Sequence, residues 1–523
     1  MTDRRRVDPL ATLVLGLAFV AEPSGATEPL APLVAERSKA SALRSELVPG
    51  PAGANEPALS LAEVEASVAL HFPVLIALRA EQQARHGELL AARGGFDMRL
   101  GFEGDMRPLG YYESRAANAT LEIPTRAYGA RLYGGYRIGA GDVPSYESGR
   151  LTDGDGELRA GLELPLLRDG ATDPARAKIE RARIDLQRMT PEIELERIEI
   201  ERAAAVAYWD WVAAGRRLEI ASQLLAIARE RQSQIAGRVE RGAEPRIDLT
   251  DNQRLIVERE STLRGARRDF EQAAIRLSIY WRDDAGEPRR PGSDRLPRAF
   301  PDEQPIDRLG VESDLDHARR DHPLLRQLGL DRDRLAVDLA LARNQLLPGL
   351  DVRVEGAQDL GASRSGIDET GSRSGSPRSS TELKALLAFE MPIQLREARG
   401  RKAAASARIA RIDARLRLAR DRVIADALQA LESLEAAFDQ TLQARENVRL
   451  AETLRDAEAR RFASGLSNLI DVNIREVQAA TAARQLVDAQ AAYFRSLADY
   501  RARIARPPDG EPTGAAAPMT FDS

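Results

Sequence analysis

The chain of 523 residues contains no cysteine. That excludes disulfide staples, thiolate metal sites, a cysteine nucleophile and lipid attachment to an N-terminal cysteine. Aromatic residues make up only 5% of the chain, too few for a broad globular core and enough for long helices packed through small side chains. Histidines number four. His71, His86, His317 and His322 share no ligand spacing on one helix face, so no metal or cofactor is called for. Charge of one sign is also missing: 76 basic and 81 acidic residues alternate and leave a net charge of -5. A dedicated nucleic-acid surface needs basic residues clustered over a wide face, and here the two signs are interspersed. Arg399 to Lys402 is a short basic run at a strand end. It reads as an interface or a solvated turn. Gly134-Gly135 and Gly139 to Gly141 do not form a dinucleotide fingerprint. No nucleophile stands with a base in a pattern that suggests an enzyme.

Long apolar runs are confined to the start. Arg4 to Arg6, the apolar Leu10 to Ala21 and Ser24-Gly25-Ala26 make Met1 to Ala26 a secretory signal. No later stretch is expected to reach the length of a transmembrane helix. Any membrane crossing by the exported chain would therefore use strands. Residues 27–57 read as a mobile leader, and 506–523 as a disordered tail.

What is present is a duplication. Arg460 to Gln478 joins two helical runs through Gly465 and Asn468, and Gly242 to Asp248 joins two others. Both tips read glycine, five residues, aspartate: Gly242 to Asp248 and Gly465 to Asp471. The first repeat spans 58–281, with strands at about 96–165. Residues 282–310 are a linker, and the second repeat spans 311–505, with strands at about 349–391.

Within each repeat the period changes. Ser60 caps a helix to Arg93, with a kink or a helix boundary at His71-Phe72-Pro73. Met98, Leu100 and Phe102 then alternate with polar residues, as do Leu158 to Leu164. Residues 128–138 have extended character, and 142–156 form a loop. Asp173-Pro174 opens a helix that reaches Arg241, broken or kinked at Thr190-Pro191. A second helix runs from Ile247 to Trp281. The second repeat follows the same order. A helix at 311–343 carries Asp321-His322-Pro323, and alternation returns at 350–355 and 383–391 around a loop at 360–380. Helices at 397–463 and up to Ile504 complete it. Tyr208, Trp209 and Trp211 read as packing residues.

Strands of about nine residues with one apolar face suit a bilayer. An open sheet does not, because its edge amides would lie unpaired in hydrocarbon. With about four strands per chain, several chains would have to share one barrel. The alternative is an exported coiled-coil scaffold with short sheets and no pore. Asp248 and Asp471 could equally be plain helix starts.

At this point the chain resembles the TolC-like outer-membrane efflux proteins. The resemblance rests on the duplicated order, the two tips, ELPLLRDGATDPARA at 163–177 and EMPIQLREARGRKAAA at 390–405. It implies a mainly α-helical homotrimer with a 12-stranded β-barrel in outer-membrane lipid and a helical tunnel through the periplasm. The implied partners are a periplasmic adaptor protein and an inner-membrane transporter, for efflux or type I secretion. The chain itself would be a passive conduit. The resemblance further implies Asp471 and Asp248 as pore and gate residues, and Gly242, Gly465, Ser467 and Asn468 as tip residues that meet the adaptor. The family's second aspartate, aromatic hydroxyl and basic tip residue are replaced here by Ile474, Phe462 and Ser467. A gate in this chain would need a different latch.

Overall fold

In a computed structural model, residues 57–141, 151–242, 245–361 and 381–505 are described. The expected signal, the tail and nearly all of the leader fall outside them.

Helices α1 (Leu61–His71) and α2 (Pro73–Arg93) lead into strand β1 (Arg99–Arg107). Ser60 caps α1 by accepting the Glu63 N–H at 3.2 Å. Phe72, with ψ 123°, separates the two helices ahead of Pro73, as the sequence requires. One expectation fails here. Leu61–Phe96 is long and apolar enough to cross a membrane by length and composition. It is nonetheless divided at Phe72, and both of its helices pack against the long helix that follows the sheet.

Strands β2 (Ser114–Pro124), β3 (Arg131–Gly141) and β4 (Glu157–Pro165) follow. Helices α3 (Pro174–Glu240) and α4 (Arg246–Ser278) close the first repeat. The second repeat contains α5 (Arg308–Asp321), α6 (Pro323–Asn344), β5 (Gly349–Asp359), β6 (Thr381–Glu390), α7 (Arg396–Ala463) and α8 (Leu469–Ile504).

The described residues hold six strands, where about four were expected. They form one antiparallel sheet in the order β1-β2-β3-β4-β5-β6. The repeats are therefore unequal, with four strands in the first and two in the second. Strand β2 was missed because its alternating positions carry Ala116, Ala117, Ala119 and Asn118, which give little contrast between faces. The β2–β3 hairpin turns through Tyr128-Gly129, both at positive φ (53° and 69°). Ala130 N–H donates to the Ala127 carbonyl at 3.0 Å. This is the primed turn that matches strand twist.

Helix α3 has 67 residues, about 100 Å at 1.5 Å per residue. The expected interruption at Thr190-Pro191 does not end it. Pro191 lies inside the helix and is buried. Its neighbours hold the rod: α3 packs on α1, α2, α4, α6 and α8. Against α6 it sets an antiparallel ladder of ion pairs, Arg181–Asp338 (3.2 Å), Arg334–Asp185 (2.9 Å), Arg188–Asp331 (3.0 Å) and Arg326–Glu194. Each exposed pair stabilises little, but the ladder fixes the register of one repeat on the other.

The aromatic core sits mid-helix. Trp209 stacks on Phe494 (centroids 4.2 Å apart) and on Phe300 (5.7 Å). Phe300 belongs to the connection between repeats, which is packed here, and buried Arg295 in the same connection pairs with Glu63 at 2.7 Å. Tyr208 donates to the Leu59 carbonyl at 2.8 Å. His322 accepts the Leu324 N–H at the start of α6. Burial beside His317, Arg326 and Arg503 pushes its pKa down to about 4, so it caps the helix as the neutral ring.

Glu65 on α1 lies among α3 and α8. Burial, then repulsion from Glu201, raises its pKa from 4.5 to about 7 against the pull of Arg501. A carboxyl held above its ordinary pKa favours folding only while it is protonated. The cost of charging it accumulates as pH rises from 4.5 to about 7 and is complete above that. Glu65→Gln is therefore expected to raise the melting temperature at pH 8, with the gain fading as pH falls through this window. A gain that does not change with pH would refute the assignment to Glu65.

Candidate functional site

Two regions carry side chains outside the packing logic: the sheet faces and the hairpin tips. The pleat sends alternate residues to opposite faces, and the register keeps each set together across all six strands. One face collects Leu100, Phe102, Met106, Leu121, Leu132, Leu158, Leu162, Val354, Leu383 and Phe389. All of these are exposed, Leu100 at 80% and Leu383 at 79%.

The other face is polar and lines a hollow of about 910 Å³ with Glu103, Asn118, Tyr133, Arg159, Arg353 and Glu355. Its side chains bridge the strands. Glu163 on β4 holds Arg131 on β3 and Arg353 on β5, the latter at 2.7 Å. Arg137 pairs with Glu157 at 2.6 Å. Arg159 donates to Asn118 at 2.9 Å. Tyr133 on β3 reaches over β4 to donate to Glu355 on β5 at 2.5 Å. Gly161 makes that reach possible, since a Cβ there would lie 2.3 Å from the tyrosine ring.

At the far end of α3 and α7 lie the tips. Gly242 and Gly465 take positive φ (71° and 74°), which is the conformational reason for glycine at both. Their N–H groups donate to Val239 and Phe462 at 3.0 Å each. Asp248 and Asp471 occupy matching places as the third residues of α4 and α8. Asn468 caps α8 by accepting the Asp471 N–H (2.9 Å), and its own amide donates to the Asp471 carboxylate (3.0 Å). Asp471 thus belongs to a capping arrangement, whatever else it does. Asp248 donates its backbone N–H to Pro245 at 3.2 Å. Ser467 donates to Glu458. Phe462, without a hydroxyl, lies 5.4 Å from the Arg238 guanidinium, so the two tips meet through a cation on a ring. Leu466, Ile470, Ile474 and Val477 form an exposed apolar stripe along the second tip.

The sequence reading missed the buried cluster above the tips. Glu476 on α8 is 5% exposed. Arg231 on α3 reaches it at 3.2 Å and Arg259 on α4 at 2.9 Å. Arg231 also donates to Asn473 (2.6 Å) and Arg259 to the Leu224 carbonyl (2.6 Å). Burial and mutual repulsion lower the pKa of Arg231 to about 10, and burial lowers that of Arg259. One carboxylate between two arginines ties the first hairpin to the second. A signal did exist: Glu476 follows Leu469 and Val472 on the apolar line of α8, where a charge is out of place.

Breaking this cluster on one side leaves buried charge. Glu476→Ala is expected to cost about 3–5 kcal/mol in thermal or denaturant unfolding. Replacing all three, as Arg231→Met, Glu476→Leu and Arg259→Met, should be near neutral. A cost below about 1 kcal/mol for the single change would show that the cluster does not couple the hairpins.

Comparison with known proteins fits this geometry. The outer membrane efflux protein family model matches residues 145–281. No curated protein matches the chain. Among solved structures, the outer-membrane channel OprN aligns with TM-score 0.59 at 13% identity, over 85% of this chain and 89% of that one. VceC, an outer membrane protein of Vibrio cholerae, aligns with TM-score 0.55 at 16% identity, over 85% and 96%. The open state of the Neisseria gonorrhoeae MtrE outer membrane channel aligns with TM-score 0.57 at 14% identity, over 85% and 88%. The family model over residues 145–281 is that of the outer membrane efflux proteins, and the solved structures share the fold of this chain.

Proposed function

We propose that this chain, an outer membrane efflux protein by its family match and its fold, is the outer-membrane exit duct of a tripartite efflux or type I secretion system. The observation that carries this reading is the two-faced sheet. One face collects large exposed apolar side chains from all six strands, and the other is largely polar, bridged and hollow. Such a sheet is stable in lipid only as a closed wall around water. In this reading several copies, three by the family resemblance, close the wall. The helical hairpins extend it as a periplasmic tunnel. The duct performs no chemistry, and transport is driven by an inner-membrane transporter through a periplasmic adaptor.

The tips are the mouth in this proposal. A ring of Asp471 carboxylates would favour cations and oppose anions at a narrow opening, with Asp248 at the matching place in the first hairpin. Gly242, Gly465, Ser467 and Asn468 shape the surface offered to the adaptor, and the apolar stripe from Leu466 to Val477 supplies contact area. The Arg231–Glu476–Arg259 cluster stands where a latch between hairpins is needed, in place of the hydroxyl and basic residue that Phe462 and Ser467 replace.

Membrane fractionation followed by native mass determination of detergent-extracted protein tests the duct. A trimer in the outer-membrane fraction that conducts ions in planar bilayers is expected. A soluble monomer or dimer would sink the reading in favour of a scaffold. In the reconstituted channel, Asp471→Asn should weaken cation selectivity several-fold. Unchanged selectivity and conductance would remove Asp471 from the mouth.

A further inference from the structure

The sheet has two open edges, β1 and β6, and its register indicates how they meet. Follow one row of paired residues across the strands from Arg99, the first residue of β1. It passes Glu122, Tyr133, Gly161 and Glu355 and arrives at Lys384. On every strand this row can be measured against the end nearest the helices. It lies at that end on β1, two residues above it on β2 (Pro124) and β3 (Arg131), and four above on β4 (Pro165). It lies six above on β5 (Gly349) and on β6 (Glu390). The climb never reverses. Six residues of rise at ~3.3 Å across the five spacings of ~4.8 Å between β1 and β6 give a tilt of roughly 40°, the slope of a barrel wall. All six strands therefore belong to one inclined wall, including the β1–β2 hairpin that makes the first repeat longer than the second.

We infer that β1 of one copy pairs with β6 of the next with Arg99 opposite Glu390, so that three copies build a wall of 18 strands instead of twelve. This rests on the duct reading. If the strand ends of neighbouring copies lie at one level, the six-residue climb brings Arg99 beside Glu390. The antiparallel register then sets Gly101 opposite Ala388, Glu103 opposite Leu386, Asp105 opposite Lys384 and Arg107 opposite Glu382. Three opposite-charge pairs fall on the polar face. On the apolar face Leu100 meets Phe389, Phe102 meets Leu387, Gly104 meets Ala385 and Met106 meets Leu383. Neighbouring registers lose this match. A shift of two residues one way sets Asp105 against Glu382, and the other way sets Arg107 against Lys384. Like charges directly opposite are unfavourable. Glu390 is also approached by Arg168 at 3.5 Å, and Arg107 lies 3.8 Å from Asp105, so the seam would join networks already present. The occupant of each edge is thus a second copy of this chain. Barrel diameter grows about linearly with strand number, so the wall would be about one and a half times as wide as a twelve-stranded one.

The absence of cysteine makes the seam directly testable in the full chain. Asp105→Cys with Lys384→Cys, oxidised in membranes, should give a covalent trimer ladder on denaturing gels. Asp105→Cys with Glu382→Cys should cross-link at least tenfold less. Lys384→Glu should lower the detergent-stable trimer fraction several-fold, and adding Asp105→Lys should restore it. Electron cryo-microscopy of the cross-linked trimer should count 18 strands. A conducting trimer that cross-links only in the shifted register, or whose wall has twelve strands, would overturn the seam and leave the duct standing. A chain that yields no membrane-embedded oligomer would overturn both.

Discussion

A backbone amide in hydrocarbon has no water to turn to, and on the duct reading that constraint organises this molecule. Helices satisfy their own amides, whereas strands need neighbours. The chain places its strands in one sheet with most large apolar side chains on one face and most ions on the other. Several polar-face residues are bridged sideways: Glu163 to two strands, Tyr133 across a third. These bridges stabilise the sheet where side chains cannot be buried in a protein core. They also stiffen the wall across its strands, while the hydrogen-bond ladder stiffens it between neighbours. A sheet with this pattern is unfinished in isolation, because its first and last strands present a full row of amides and its apolar face has no protein cover.

The helical part obeys a different balance. Rods of 67 and 68 residues cannot be held by one globular core. Stability is spread along them instead, as small buried alanines, an aromatic stack at mid-length and ion-pair ladders between repeats. Near the tips the core narrows, and it contains the only cluster of buried charge joining α3, α4 and α8 among the described ion pairs. Apolar residues of similar volume would serve stability at least as well. A buried ion pair adds position: it matches one arrangement of the three helices and penalises sliding or rotation that would strand a charge. Such an element suits a junction that has to hold one state firmly and exchange it for another.

Much of the fold was legible because local signals agreed with the global pattern. Ser60 with Glu63, Asp173 with Pro174, and Gly242 and Gly465 each mark a boundary through a mechanism that depends on a few neighbouring atoms. Period two at Leu158 to Leu164 survived because large and charged residues alternate. The misses have equally local causes. Strand β2 alternates among alanine, asparagine and threonine, so its faces differ little in polarity. Pro191 reads as a helix breaker, yet the packing of five helices around α3 holds the rod through it. At the tips, sequence placed the aspartates correctly on their helices, but only geometry reveals that Asn468 engages Asp471 or that Arg238 meets Phe462. Glu476 was visible as a charge on an apolar line. Its two partners lie more than two hundred residues away, beyond any periodicity.

The unequal repeats give this a last consequence. Duplication predicts equal strand content, and the helices keep it: rods of nearly equal length, matching breaks before Pro73 and Pro323, matching tips. The sheet departs from it by one hairpin. An added hairpin in a soluble sheet is peripheral and can drift in sequence and register. Here it continues the climb of the other strands and keeps their face assignment, with Phe102 and Leu121 on the apolar side and Glu103 and Asn118 on the polar side. Its β2 strand is also engaged by Arg159 from β4. Random drift would not preserve slope, face and side-chain bridging together. In the proposed wall the hairpin is therefore subject to the same constraint as the other strands, and the asymmetry between halves would change the circumference of the wall without changing its chemistry.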